Sequence, residues 1–250
     1  MRYISHLAAL FVVGVLAVGG YGCAGGDEPE PTASDDVTRA QLLSKMRNLV
    51  LGYKDAEWDL KKAKYVEAEN LVYEAYGLSA LVTPGVHKSF INVREGTAPV
   101  LETNLAGNPR LTITTRHFTL AVSNEAYLGN FVSLLTHEYI HVWQHFHGYA
   151  GNAKHDQREF LANAFNVLGG QSLMADKLRR EAGFDVSSIP PVVEPQRMIN
   201  AAQVVKNYGT RRGAWGLNAS DTKAYDTEYD ACKVVYDRLS KVYNDNGTKK

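Results

Sequence analysis

Residues 134–145 read LLTHEYIHVWQH, an apolar run that carries His137, Glu138 and His141. Residues four apart on an α-helix lie on one face, one turn apart, so the two imidazoles would point the same way. Their separation suits a single tetrahedral zinc ion. Glu138 is offset around the helix, where it could take a proton from a water bound to that ion. The pattern predicts a helical metal site with Glu138 as the general base.

A plain core helix is the alternative interpretation of this stretch. Leu, Ile, Val and Trp surround the polar side chains, so the helix would be largely buried. Burying two histidines and a glutamate costs free energy unless partners satisfy them. A metal ion would satisfy both imidazoles, and the metal-site hypothesis is therefore favoured.

A catalytic zinc ion needs a third protein ligand and one open position. His145 continues the helical series, but it would lie roughly 12 Å along the axis from His137, too far to share an ion. His147 fits the spacing H-E-x-x-H-x-x-G-x-x-H of the metzincin peptidases, with Gln144 in place of the glycine. That glycine lets the chain turn back towards the metal, so His147 is a minor candidate.

The stretch KHDQREFLANAF, residues 154–165, offers two further candidates, His155 and Glu159. Glu159 would face the first helix if the two helices pack antiparallel, and Asn163, one turn further on, could orient it. In the alternative interpretation, Asp156 and Glu159 form a capping box that serves only the helix start. The ligand role of Glu159 is favoured, with His155 behind it.

The two stretches LLTHEYIHVWQ and REFLANAF resemble the zincin metallopeptidases, and among them the gluzincin arrangement of two histidines and a later glutamate. The first stretch is similar to the sequence LLAHELTHVWQ of an uncharacterised family of bacterial metallopeptidases. This resemblance covers about residues 110–168. It implies zinc bound by His137, His141 and Glu159, with Glu138 as general base and a peptide or protein as substrate. Asn163 departs from the pattern, because gluzincins often have Asp there.

The resemblance also assigns a role to residues 110–120, RLTITTRHFTL. This segment is similar to the edge strand along which such enzymes bind an extended substrate.

The rest of the chain predicts an α+β fold, zincin-like, in which a small and mostly antiparallel sheet packs on the H-E-x-x-H helix. Short β-branched runs between residues 88 and 122 predict three or four strands, and helical spacing predicts helices on both sides. The predicted helical segments are 37–80, 124–146 with Ser123 or Asn124 as N-cap, 157–168 and 221–243. We expect one domain over residues 37–250, with a core at about 88–170 and a C-terminal helical part at 171–250.

The N-terminal residues 1–22 have the basic start, apolar run and small-residue end of a secretory signal peptide. Cys23 resembles the lipidation site of bacterial lipoproteins, and residues 23–36 are predicted to be a flexible tether. We therefore expect a secreted protein or a lipid-anchored protein of the bacterial cell envelope. If Cys23 is not acylated, a disulfide with Cys232 is the alternative.

Composition narrows the choice of partners. The chain has 250 residues, of which 45% are hydrophobic and 22% charged, and its net charge is zero. These values are typical of a soluble globular protein and do not favour nucleic acid as a partner. We expect contact with a membrane only through the N-terminal anchor. Two distant cysteines cannot form a cysteine-based zinc site, so a metal must be held by histidine and carboxylate.

Two hypotheses follow from these features. The first is a zinc-dependent metallopeptidase that hydrolyses peptide bonds with a metal-activated water. The second is a non-catalytic envelope lipoprotein in which the zincin-like domain serves as a binding or structural module. Glu138 favours the first, because a binding module needs no base beside two ligands.

Overall fold

The computed structural model describes residues 33–82, 90–105, 110–149, 151, 154–190 and 192–250. The predicted signal peptide, Cys23 and residues 24–32 of the predicted tether lie outside these ranges. The first helix begins at Ala33, so the last four residues of the predicted tether, 33–36, are helical. No helix within the described ranges has the length and apolar character needed to cross a membrane.

Helices make up most of the described chain, and the α+β class is confirmed. They are α1 (Ala33–Gly52), α2 (Trp58–Ala75), α3 (Thr115–Ala121), α4 (Glu125–Phe146), α5 (His155–Leu168), α6 (Leu173–Ala182), α7 (Pro195–Gly209) and α8 (Ala219–Leu239). The predicted helix 124–146 is confirmed as α4. Its N-cap is Asn124, whose side chain accepts a hydrogen bond from the amide of Tyr127 at 2.9 Å.

The described residues form one small sheet of three strands, β1 (Ile91–Arg94), β2 (Leu101–Asn104) and β3 (Arg110–Thr114). The strand order is β1-β3-β2, with β1 parallel to β3 and β2 antiparallel to it. The expectation of a mostly antiparallel sheet is therefore wrong, since the sheet is mixed. Strand composition does not encode direction, which depends on where the chain re-enters the sheet.

The role predicted for residues 110–120 as an edge strand is also wrong. Residues 110–114 form β3, which lies in the middle of the sheet, and the chain then turns into α3. His117, Phe118 and Ala121 are buried on one side of α3, at the spacing of a helix rather than the alternation of a strand. The β-branched residues around them favoured the strand prediction, but burial of this helical face against α4 outweighs that preference.

α4 runs through the centre of the molecule, and it is buried on nearly every side over its second half. The outer strand β2 packs along it, and α1 and the Leu78–Leu81 turn also contact it. α5 packs against α4 on one side and against α7 and α8 on the other. The hydrophobic core continues through all of these layers, from Leu42 on α1 to Tyr236 on α8.

Candidate metal centre

α4 places His137 and His141 side by side, one turn apart. Their Nε2 atoms are 3.1 Å apart, and their rings are perpendicular with centroids 4.7 Å apart. The two residues are 9% and 7% exposed. Both Nε2 atoms thus lie close enough together to share one ion.

α5 brings the carboxylate of Glu159 to this pair. Its Oε1 atom lies 3.5 Å from Nε2 of His141. The three ligand atoms lie within 4.8 Å of one another, and no other such cluster of three occurs among the described residues. Ligands of a tetrahedral zinc ion, bound at about 2.0–2.2 Å, are separated by roughly 3.3–3.6 Å. The separations of 3.1 Å and 3.5 Å that meet at His141 are close to this value, so these two nitrogens and one oxygen could hold a metal ion.

Burial sets the protonation state of the two histidines. It is the largest cause that lowers the pKa of His137, to about 3, and the neighbouring His141 lowers it further. Burial also lowers the pKa of His141, to about 4, against the opposing effect of its hydrogen bond with Gln144. Both rings are neutral at neutral pH, which is the form that binds a metal ion.

Two buried amides contact the other ring nitrogens of these histidines, and sequence reasoning missed both. Gln144 Oε1 lies 3.0 Å from Nδ1 of His141, and Asn166 Nδ2 lies 3.0 Å from Nδ1 of His137. Gln144 follows His141 by three residues, so helical spacing alone could have found it. Asn166 could not be found in this way, because it lies on α5 and meets His137 only through helix packing.

Glu138 points from α4 towards the outer strand β2. The hydroxyl of Thr103 on β2 donates to the backbone carbonyl of Glu138 at 3.4 Å, and hydrogen bonds from Thr103 act to lower the pKa of the Glu138 carboxyl group. Burial is the largest influence, and it raises the pKa of Glu138 to about 8 despite those hydrogen bonds. The nearby carboxylates of Glu159 and Glu102 act in the same direction. Glu138 is thus a carboxyl group that can change protonation near neutral pH.

The other candidate ligands lie outside the cluster. His147 donates from Nδ1 to the Trp143 carbonyl at 2.7 Å and stacks on the Trp143 ring. His155 is exposed, and its Nε2 lies 3.3 Å from the hydroxyl of Tyr208. His145, at the end of α4, is only partly buried and does not belong to the cluster.

The capping-box alternative for Glu159 is not what the structure contains. α5 has Lys154 as N-cap, without a side-chain capping bond, and Asp156 pairs with Arg211 at 3.0 Å. Asn163 donates to the Glu159 backbone carbonyl at 2.9 Å and reaches its Oε2 at 3.4 Å. Asn163 thus lies where it can orient the Glu159 carboxylate.

A cleft of about 560 Å³ opens over His141 and Glu159. Strand β2 and Leu105 form one wall, and α4, Gly151 and α5 form the other. The residues that line it are Glu102, Thr103, Asn104, Leu105, His141, His145, Gly151, His155, Arg158 and Glu159. The cleft gives a ligand access to the cluster along the outer strand of the sheet.

Compared with known protein families, curated proteins and solved structures, the chain matches none of them.

Proposed function

We propose that this protein is a zinc-dependent metallopeptidase that hydrolyses peptide bonds. The observation that carries the proposal is the convergence of His137, His141 and Glu159 beside a cleft, with Glu138 next to them. His137 and His141 would hold zinc through Nε2, and Glu159 through its carboxylate. We also propose, on the same grounds, that the fold is zincin-like.

The chain's own residues account for the remaining chemistry. Bound zinc supplies a Lewis acid and lowers the pKa of a coordinated water towards neutrality. Glu138 would accept a proton from the attacking water and pass it to the nitrogen of the departing amine. A carboxyl group with a pKa near the working pH suits both halves of this transfer. Asn163 would orient the Glu159 carboxylate through its contact with Oε2.

His155 is the candidate for stabilising the negative charge that develops on the scissile carbonyl oxygen. It lies one turn before Glu159 on α5 and lines the same cleft. Its contact with Tyr208 holds the ring at the cleft wall. A ring N–H aimed at the developing oxyanion would lower the barrier to attack.

An extended peptide is the substrate that the cleft fits best. β2 is the outer strand beside the cleft, and a strand edge binds a peptide through main-chain hydrogen bonds. The signal-like residues 1–22 and Cys23 support a secreted or lipid-anchored location in the bacterial envelope, where the substrate would be met.

The test compares the wild type with Glu138→Gln, and Glu125→Gln serves as the matched control. Glu125 is an exposed glutamate in the first turn of the same helix. We expect all three proteins to bind about one zinc per chain by elemental analysis. Peptide hydrolysis should fall by 10²-fold or more in Glu138→Gln alone, because removal of a general base costs about 10²–10⁴-fold.

Three outcomes would contradict the proposal in different ways. Equal hydrolysis by wild type and Glu138→Gln would show that Glu138 is not the general base. Absence of stoichiometric zinc from the wild type would remove the metal site. Zinc binding without hydrolysis of any peptide library would favour the non-catalytic envelope lipoprotein instead.

A further inference from the structure

Gln144 is one of the buried polar residues of α4. Its side chain is fully buried, 0% exposed, near the C-terminal end of α4. Its Oε1 lies 3.0 Å from His141 Nδ1, while its Nε2 donates to the Arg158 carbonyl at 3.4 Å and to Met174 Sδ at 3.8 Å. Both ends of the amide are therefore occupied.

These contacts determine which way the amide points. The Arg158 carbonyl can only accept, so the nitrogen of Gln144 must face it, and the oxygen must face His141. His141 consequently carries its proton on Nδ1, and the lone pair is on Nε2. That lone pair points towards His137 Nε2 and Glu159 Oε1. His141 is thus in the tautomer that a metal ion requires before any ion binds.

The same side chain also connects the two helices that carry ligands. Arg158 is the residue immediately before Glu159 on α5. Through Gln144, the ring of His141 is linked to the backbone from which the third ligand projects. A change at residue 144 would alter the orientation of His141 and its position relative to Glu159.

Asn166, at the other histidine, provides a contrast. Its Nδ2 faces Nδ1 of His137, and its Oδ1 has no hydrogen-bond partner among the described residues. The Asn166 amide therefore makes a hydrogen bond through its nitrogen alone. Of these two amides, only that of Gln144 makes hydrogen bonds through both its oxygen and its nitrogen.

We propose that Gln144 is a positioning residue for the metal centre, which presets the tautomer of His141 and the spacing between His141 and Glu159. This inference rests on the proposed zinc function. It assigns no contact between Gln144 and substrate. A merely structural glutamine would contribute to stability without selecting the tautomer of His141.

The experiment uses the full chain with two variants, Gln144→Met and Gln144→Glu. Met keeps the length and apolar volume but removes all three hydrogen bonds, whereas Glu keeps an oxygen that can accept from Nδ1. Ser133→Ala is the matched control, because Ser133 is a buried polar residue of α4 that bonds to the Pro190 carbonyl and not to either histidine.

Two readouts that do not depend on peptide hydrolysis are measured. Long-range ¹H–¹⁵N spectra of the metal-free protein report which nitrogen of His141 is protonated, and competition with a chromophoric chelator reports zinc affinity. We expect the Nδ1-protonated form in the wild type, Ser133→Ala and Gln144→Glu, and a mixture in Gln144→Met. Zinc affinity should fall roughly 10–100-fold in Gln144→Met, and Gln144→Glu should recover most of it.

The wild-type spectrum keeps the test decisive even if Gln144→Met does not fold. A wild-type His141 protonated on Nε2 would overturn the inference, and so would a folded Gln144→Met that binds zinc as tightly as the wild type. A wild type that binds no zinc but has the Nδ1 tautomer would instead refute the proposed function, with the orienting role of Gln144 intact.

Discussion

His117 provides a comparison, within this fold, for the two histidines of the cluster. It is 4% exposed on α3 and packs against the ring of Phe131. Burial, followed by the charge of Arg197, lowers its pKa to about 4. A neutral, buried histidine is thus no evidence of a metal ligand by itself. What distinguishes His137 and His141 is a facing carboxylate and an amide at each outer nitrogen.

The pKa of His117 predicts an acid-sensitive fold. In the unfolded chain the ring takes up a proton near pH 6.5, but in the folded protein only near pH 4. Between those values the unfolded state binds more protons, so the free energy of unfolding falls as pH falls. The shift corresponds to about 3 kcal/mol, lost progressively between pH 6.5 and 4.

The free energy of unfolding of His117→Gln should therefore fall less between pH 7 and pH 4.5 than that of the wild type. Urea unfolding of both proteins at the two pH values measures this difference. His137 and His141 titrate in both proteins, so their contribution cancels in the comparison. Identical pH dependence of the two proteins would contradict the assignment.

At the level of elements, local periodicity predicted the helices better than the strands. α4 was expected at 124–146 and runs over Glu125–Phe146, and α5 was expected at 157–168 and runs over His155–Leu168. The last part of the region 88–122, in which strands were expected, belongs instead to α3 (Thr115–Ala121). A short segment satisfies either periodicity, and its contacts with α4 decide between them.

The crossing of α7 and α8 depends on a single glycine. Gly209 is buried, and a Cβ atom there would overlap the ring of Tyr229 and come within 3.1 Å of the Phe160 ring. Because Phe160 belongs to α5, this contact also supports the helix that carries Glu159. The small size of residue 209 lets α5, α7 and α8 pack closely.

We expect Gly209→Ala to destabilise the protein by about 1–3 kcal/mol, because overpacking a close helix crossing forces side chains to shift. Gly52→Ala is the matched control, since nothing lies within 4 Å of its Cβ position at the end of α1. The control should be neutral or slightly stabilising. Thermal unfolding of both variants tests this, and equal melting temperatures would refute the close approach.

For the whole molecule, the cluster joins parts of the chain that only tertiary structure brings together. His137 and His141 lie on the central helix, and Glu159 lies on a helix that packs against the C-terminal pair α7 and α8. An ion held by all three would tie these layers together. Any ion that binds the folded state but not the unfolded state raises the free energy of unfolding.

Zinc should accordingly raise the melting temperature. At a free concentration 100 times the dissociation constant, the gain is about 2.7 kcal/mol, or roughly 5–10 °C for a domain of this size. A chelator should reverse it. Glu159→Gln should lose most of the increment, whereas Glu181→Gln, at a surface glutamate paired with Lys177, should retain it. An equal increment in wild type and Glu159→Gln would exclude Glu159 as a ligand.

The amino-acid order by itself determined the relation between His137, Glu138 and His141, because helical periodicity fixes the relative directions of residues within one helix. It also narrowed the N-cap of α4 to Ser123 or Asn124, since capping is local, and the structure has Asn124. It left the choice between Glu159, His155 and His147 open.

Tertiary structure decided the rest. Glu159 faces the histidines, Asn166 meets His137, and β2 rather than residues 110–120 lies beside the cleft. Each of these depends on how one element packs against another, and that packing is set by the burial of apolar surface from the whole chain. Residues far apart in the chain have no fixed geometry until that surface is buried.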